Sequence, residues 1–196
     1  FNVPYEIRLQ KALEADMLAP FHYYGVTDFE METGEVIDQL TDFSRLVASE
    51  RVDHIVKTIS KYGHAGVPAR GLIFCSKNAE AAELSSLLNN REIHGKQLRT
   101  LALSGTDAIE DREKTVQMLE CGELDYILTV DIFNEGIDIP SVNQVIMLRQ
   151  TLSSIVFTQQ LGRGLRKAAG KDHLVVIDFI GNYENNYLIP IALFGD

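Results

Sequence analysis

Two arginines in one short segment have the spacing of an anion-binding helix face. On a helix, one stripe at positions i, i+3, i+4 and i+7 would carry Gln159, Gly162, Arg163 and Arg166. Both guanidiniums would then point toward the same neighbour, and each offers a planar fork of donors. The spacing fits a solvated amphipathic helix with surface arginines equally well, so both interpretations stay open at this point.

A carboxylate lies at the end of the preceding segment, residues 129–140. The chain leaves a strand at Asp131 and loops through Gly136, and Pro140 keeps the residue before it extended. Asp138 would therefore lie at a strand end, where its carboxylate could accept hydrogen bonds from a ribose hydroxyl. Alternatively, Asp131 caps a short turn and Asp138 is an ordinary solvated turn residue.

The elements that must position these segments alternate in type along the chain. Short continuous apolar runs are separated by amphipathic helical patterns, which is typical of a parallel sheet that is covered on both faces. The runs span residues 71–75, 100–103, 126–130, 145–148 and 174–179, and the helical patterns span 78–89, 111–121 and 153–165. The sequence therefore predicts an α/β fold with a doubly wound, mainly parallel sheet.

The first third of the chain has fewer elements. They are a helix over residues 5–18 that ends before Pro20, a strand over 21–26, and a helix over 51–62 that ends at Gly63. We therefore predict an entry helix over residues 1–20 and one domain over 21–196, in which 28–66 hold an acidic loop and a helix. The chain begins with Phe1 rather than Met, which indicates a piece of a longer protein.

Polar segments follow most of the predicted strands. In open parallel sheets, ligands bind at the carboxyl ends of the strands, so these segments mark the expected functional edge. They are residues 76–78, 104–106, 131–140 and 149–151. This reasoning locates the edge and leaves the ligand open.

Charge is segregated along the chain. The net charge of −10 argues against a basic nucleic-acid coat protein. Residues 12–44 contain no Lys or Arg, whereas residues 139–171 contain no Asp or Glu. The second stretch is therefore a candidate anion-binding surface, and the acidic first stretch would suit protein docking.

Several other kinds of site are disfavoured. The five histidines have no metal-ligand spacing, and the chain has no GxSxG elbow and no run of roughly 18 apolar residues that could span a membrane. Cys75 and Cys121 both stand where a small buried hydrophobe would fit, which favours a reducing, cytoplasmic setting without disulfides.

The segments at 129–140 and 159–166 together resemble motifs V and VI of the superfamily 2 helicases and translocases. The run GLIFCSKNAEAAELSSLL resembles the motif IV region, and LALSGTDAIEDREKTVQML resembles the segment after it. The opening YEIRLQKALEADMLAPF is similar to the connector into the second lobe of type I restriction motor subunits. The resemblance covers essentially the whole chain in order, and it implies a RecA-like second lobe.

In that family, two RecA-like lobes clamp ATP between them. The resemblance implies that Arg163 and Arg166 are arginine fingers, that Gln159 helps to position the phosphates, and that Gly136 and Asp138 meet the ribose and phosphate side. The chain has no GxxxxGK(S/T) loop and no DExx box, so Mg²⁺ would be held by a missing first lobe. The fragment alone would then require no cofactor and be inactive.

The resemblance also implies a nucleic-acid track, more often DNA than RNA, that contacts mainly the sugar–phosphate backbone. Its candidate residues are Ser76, Lys77, Ser104, Gly105 and Thr129. A helix cap with a solvated lysine would explain the first two as well, and a strand-end hydroxyl bonded to backbone would explain Thr129. The rival hypothesis for the whole chain is a non-catalytic protein-interaction module that retains a helicase-lobe scaffold.

Overall fold

The computed structural model describes residues 18–27, 47–64, 67–130, 139–149, 166–168 and 170–180. Within these ranges the helices are α1 (Ser49–Tyr62), α2 (Asn78–Leu88) and α3 (Ile109–Glu120), and the strands are β1 (Phe21–Thr27), β2 (Gly71–Phe74), β3 (Glu92–Ile93), β4 (Lys96–Gln97), β5 (Thr100–Leu103), β6 (Tyr126–Thr129), β7 (Gln144–Met147) and β8 (Leu174–Ile180). Every element predicted within these ranges is present. The helices predicted over 5–18 and 153–165 and most of the acidic loop lie outside the described residues.

Six of the described strands form one sheet in the order β1-β8-β7-β2-β6-β5, and all five pairings between these neighbours are parallel. The central strands β2, β6 and β7 are short and largely apolar, and all four residues of each are buried. A strand that is covered on both faces needs apolar side chains at every position, which explains the continuous runs in the sequence. The doubly wound α/β fold is confirmed.

Helices cover both faces of this sheet. On one face, Val52, Ile55 and Ile59 of α1 and Leu84 and Leu88 of α2 pack against the sheet in one cluster of buried residues. On the other face, α3 contributes Leu119 to a second buried cluster. The apolar stripe of the predicted 51–62 helix is therefore its sheet-facing side, and Gly63 ends that helix as expected.

A small hairpin between α2 and β5 was not predicted. Strands β3 and β4 pair antiparallel around His94 and Gly95, whose φ angles of 51° and 75° are both positive. Two-residue hairpin turns of type I′ require positive φ at both central residues. Gly95 was therefore the only residue in the sequence that indicated this turn. Arg91 ties the base of the hairpin to α1, because its Nε donates to Asp53 Oδ1 (2.7 Å) and its Nη2 donates to Ser49 Oγ (2.9 Å).

One expectation about a single residue was wrong. Cys75 is buried as predicted, but Cys121 is exposed because it stands at the C-terminal cap of α3, past the last buried turn. Three histidines that are far apart in sequence lie together: His173 stacks on His22 (ring centroids 4.4 Å apart) and on His64 (4.3 Å). These rings stack on one another, and the described part of the chain contains no His, Cys, Asp or Glu cluster suited to a metal ion.

Of the helices described, none combines the length and the apolar character needed to cross a bilayer.

Candidate functional site at the carboxyl edge of the sheet

The last row of the sheet brings the predicted strand ends together. Strand register places Leu103, Thr129, Phe74, Met147 and Asp178 side by side across five neighbouring strands. Because every pairing is parallel, the loops that follow β2, β5 and β7 all leave from this one edge. Ser76, Lys77, Ser104, Gly105 and Thr129 therefore lie at the same edge, on three adjacent strands.

A buried carboxylate holds the loop after β2. The Ser76 backbone N–H donates to Glu80 Oε2 (2.8 Å), and Glu80 Oε1 accepts from Arg51 Nη1 of α1 (3.0 Å). Neither charged side chain has any exposed surface. Lys77 is exposed and is the N-cap residue of α2, but it makes no side-chain capping bond. Glu80, and not a serine cap, therefore sets the conformation of this turn.

The loop after β5 is a tight, exposed turn that is rich in hydroxyls. The Ser104 N–H donates to Asp107 Oδ2 (2.7 Å), and the Asp107 N–H donates back to the Ser104 carbonyl (3.1 Å). The hydroxyl of Ser104 lies 2.9 Å from that of Thr106. A Cβ at Gly105 would meet no atom within 4 Å. The turn therefore presents open backbone that a polymer chain can approach closely.

Thr129 lies beneath the edge. Its side chain is fully buried, and its carbonyl accepts from the Cys75 N–H (2.8 Å), which locks β2 to β6 at the last row. Its role as a nucleic-acid contact stays a prediction.

The nucleotide-facing candidates are described only in part. Gly136, Asp138, Gln159 and Arg163 lie outside the described residues, and Arg166 is exposed.

Lys171 joins the ends of the two candidate segments. Its Nζ donates to the carbonyl of Pro140 (3.1 Å) and to the carbonyl of Arg166 (3.0 Å). Burial lowers the pKa of this ammonium to about 8. In the sequence, Lys171 is one of several basic residues. No local pattern indicates that its amine donates hydrogen bonds to two carbonyls that come earlier in the chain.

Arg149 is a second residue that the site predictions omitted. It follows β7 at the same edge, and its positive charge interacts electrostatically with the buried Cys75 thiol. Burial raises the pKa of that thiol well above its ordinary value and Glu80 raises it further, whereas Arg51 and Arg149 oppose the rise. The sequence feature that could have identified Arg149 is its position directly after a predicted strand.

Asp178 is a buried carboxylate in the last row of the sheet. It accepts a hydrogen bond of 2.7 Å from the Tyr23 hydroxyl. Burial raises its pKa from 3.8 to about 6, and the hydrogen bond from Tyr23 acts in the opposite direction. Because the folded protein binds this proton more tightly than the unfolded chain does, the contribution of Asp178 to folding is most favourable below about pH 4. That contribution falls as the pH rises to about 6 and stays low above it.

We therefore expect Asp178→Asn to stabilise the protein at pH 7.5, by on the order of 1–3 kcal/mol, and to leave its stability near pH 4 almost unchanged. The asparagine keeps an oxygen for Tyr23 and removes the buried charge. Urea unfolding at both pH values measures the effect, with Glu120→Gln on the exposed end of α3 as the control. An equal effect of Asp178→Asn at both pH values would contradict the assignment.

Comparison with known proteins places these features in a family. The family model described as "Helicase conserved C-terminal domain" matches residues 50–168. "Putative ATP-dependent helicase IRC3" of Saccharomyces cerevisiae is 30% identical over 144 residues, which are 73% of this chain and 20% of that protein. UvrABC system protein B of Pectobacterium carotovorum is 29% identical over 86% of this chain and 28% of its own length. The chain thus spans roughly a quarter of these relatives.

Solved structures show the same fold at low identity. The fragment of a "putative HsdR subunit of a type I restriction enzyme" from Vibrio vulnificus has a TM-score of 0.69 at 22% identity, over 100% of this chain and 38% of that one. The Type ISP restriction-modification enzyme LlaBIII bound to DNA has 0.66 at 18%, over 97% and 15%. Domain 2 of the DEAD-box helicase Mss116p bound to an RNA duplex has 0.52 at 19%, over 82% and 54%.

Proposed function

Because the chain belongs to the helicase conserved C-terminal domain family and has its RecA-like fold, we propose that it is the second lobe of an ATP-dependent nucleic-acid helicase or translocase. The observation that carries this proposal is the extent of the family match. Residues 50–168 run from α1 through both edge loops to Arg166, so the match includes every candidate contact residue. The corresponding reaction is ATP hydrolysis coupled to translocation or strand separation.

On the nucleotide side, Arg163 and Arg166 would neutralise negative charge at the γ-phosphate of ATP. Gln159 would orient the phosphates, and Gly136 and Asp138 would meet the ribose and phosphate side. A guanidinium pair suits this task, and the anchor of the Arg166 carbonyl on Lys171 supports a fixed backbone there. Since residues 1–196 contain no phosphate loop, a first lobe would hold the β- and γ-phosphates and Mg²⁺.

On the nucleic-acid side, Ser76, Lys77, Ser104 and Gly105 would follow one sugar–phosphate chain across the ends of β2 and β5, which flank β6 and its buried Thr129. Hydroxyls, loop N–H groups and a lysine hold phosphates without reading bases, so we expect little sequence selectivity. Of the two solved relatives described with a bound nucleic acid, the DNA-bound one has the higher TM-score. We therefore propose single-stranded DNA as the first substrate to test.

The track has a specific expected signature in binding experiments. The isolated chain should bind single-stranded DNA weakly, and its affinity should fall steeply with salt, because few phosphates are contacted and the net charge of −10 opposes approach. Lys77→Ala should weaken binding and reduce the slope of log K against log salt by about 1. Fluorescence anisotropy at salt concentrations from about 50 to about 200 mM measures both the affinity and the slope.

Lys96→Ala provides the matched control for that experiment. Lys96 is also an exposed lysine, but it lies on the β3–β4 hairpin that precedes the amino end of β5. Its substitution should leave the slope unchanged. Equal effects of the two substitutions, or tight binding that is insensitive to salt, would contradict the proposed track.

A further inference from the structure

The ion pair between Arg51 and Glu80 lies directly beneath the edge loop after β2. Both side chains are completely buried, with Arg51 Nη1 and Glu80 Oε1 3.0 Å apart. Removing two charges from water is costly, and replacing such pairs with apolar residues of similar volume is often neutral or stabilising. Fold stability alone therefore does not account for the presence of this ion pair.

The second oxygen of Glu80 makes the contact that reaches the functional edge. Oε2 accepts the Ser76 backbone N–H at 2.8 Å, so one carboxylate bridges α1 and the turn after β2. Both partners of Glu80 stand at fixed points. Arg51 belongs to the first turn of α1, and Ser76 follows the last row of the sheet. The turn is thus held from inside the protein at its first residue.

The residues immediately after this anchor are those that face outwards. Lys77 and Asn78 are exposed and begin α2, so their position is set by the turn that Glu80 holds. A phosphate contact gains most from groups that are already in place before binding, because ordering a loop on binding costs conformational entropy.

We propose that Arg51 and Glu80 are positioning residues that hold the Ser76–Lys77 turn in the conformation that receives the nucleic-acid backbone. This inference rests on the proposed function, and it assigns a role to two residues that themselves never touch the nucleic acid. Arg51 orients the carboxylate, and the carboxylate orients the turn.

Two double variants of the full-length protein separate positioning from simple packing. Arg51→Met with Glu80→Met replaces the pair with apolar side chains and removes the acceptor for Ser76. Arg51→Met with Glu80→Gln also removes both charges, but the glutamine retains an oxygen that can accept the Ser76 N–H. The two variants therefore differ in the acceptor and share the loss of the ion pair.

Affinity for single-stranded DNA should fall about tenfold in the variant without an acceptor and only about threefold in the glutamine variant, which keeps the acceptor but loses the arginine that orients it. Amide hydrogen exchange at Ser76 should be fast in the first and protected in the second. Arg51→Lys, which keeps the charge without the planar fork, should give an intermediate loss and remains testable if a double variant does not fold.

Equal DNA affinity in both double variants, whether reduced or unchanged, would overturn the positioning role. A wild-type protein that shows protection of Ser76 but no DNA binding would contradict the proposed function itself, and the positioning inference with it. DNA binding by the wild-type protein distinguishes the two failures, because the positioning role alone fails only when wild type binds DNA and both double variants bind it equally.

Discussion

Arg166→Lys in the full-length protein is expected to lower steady-state ATP hydrolysis by about a thousandfold, within the range typical of arginine fingers. Lysine keeps the positive charge but loses the planar fork that matches two phosphate oxygens. Folding and ATP affinity should be nearly unchanged, because Arg166 is exposed and the backbone bond from Lys171 to its carbonyl does not involve the side chain. Turnover, thermal unfolding and nucleotide binding, measured on the same preparation, test these three expectations.

Arg99→Lys is the matched control for that substitution. Arg99 is also an exposed arginine, and its guanidinium holds Asp125 through Nη2–Oδ1 (2.7 Å) and Nε–Oδ2 (3.1 Å) at the amino end of β5. Its replacement should leave turnover intact. Near-wild-type hydrolysis by Arg166→Lys would contradict the arginine-finger role and favour the alternative of a solvated surface arginine.

Arg163→Lys should behave like Arg166→Lys. If both guanidiniums act on one developing charge, the double variant should lose much less than the product of the two single losses. Full multiplicative loss would mean that the two arginines act independently.

The polypeptide of residues 1–196 is expected to hydrolyse no ATP above the background of a blank preparation. Its sequence contains no GxxxxGK(S/T) loop and no DExx box, so nothing in it is of the kind that cradles the β- and γ-phosphates with Mg²⁺. Binding of ATP should be weak as well, since one wall of a two-walled site offers little desolvated contact. Phosphate release at saturating Mg²⁺·ATP, beside the full-length protein prepared identically, makes the comparison.

Magnesium-dependent turnover by residues 1–196 alone would contradict the two-lobe proposal. It would require a phosphate site within this chain that the sequence motifs do not reveal. Inactivity of the isolated chain together with activity of the full-length protein is the expected pair of results.

Much of the fold was predictable because the sheet is buried on both faces. A short, mostly apolar run, as in β2 and β6, is typical of a covered strand or a buried helix, and its short length favours the strand. The β3–β4 hairpin was missed for the opposite reason. Each of its strands has two residues, mostly exposed, which leaves no periodic pattern to detect.

The location of the candidate site was predictable, but its internal supports were not. Parallel strands bring their carboxyl ends to one edge of the sheet whatever the order of the strands. The polar segments after β2 and β5 could therefore be grouped from the sequence alone. Glu80 and Arg51 look like solvated helix residues in sequence, and their contact spans 29 positions. The Tyr23–Asp178 bond spans 155 positions. Pairings of that range depend on the completed topology, which local patterns do not contain.

ATP turnover by the full-length protein, with and without single-stranded DNA, is the most direct test of the proposal that this chain is one lobe of a nucleic-acid motor. The expected result is hydrolysis that DNA stimulates and that rising salt weakens, since the backbone contacts are electrostatic. A full-length protein that binds partner proteins but hydrolyses no ATP, with DNA or without it, would contradict the proposal and support the non-catalytic interaction module instead.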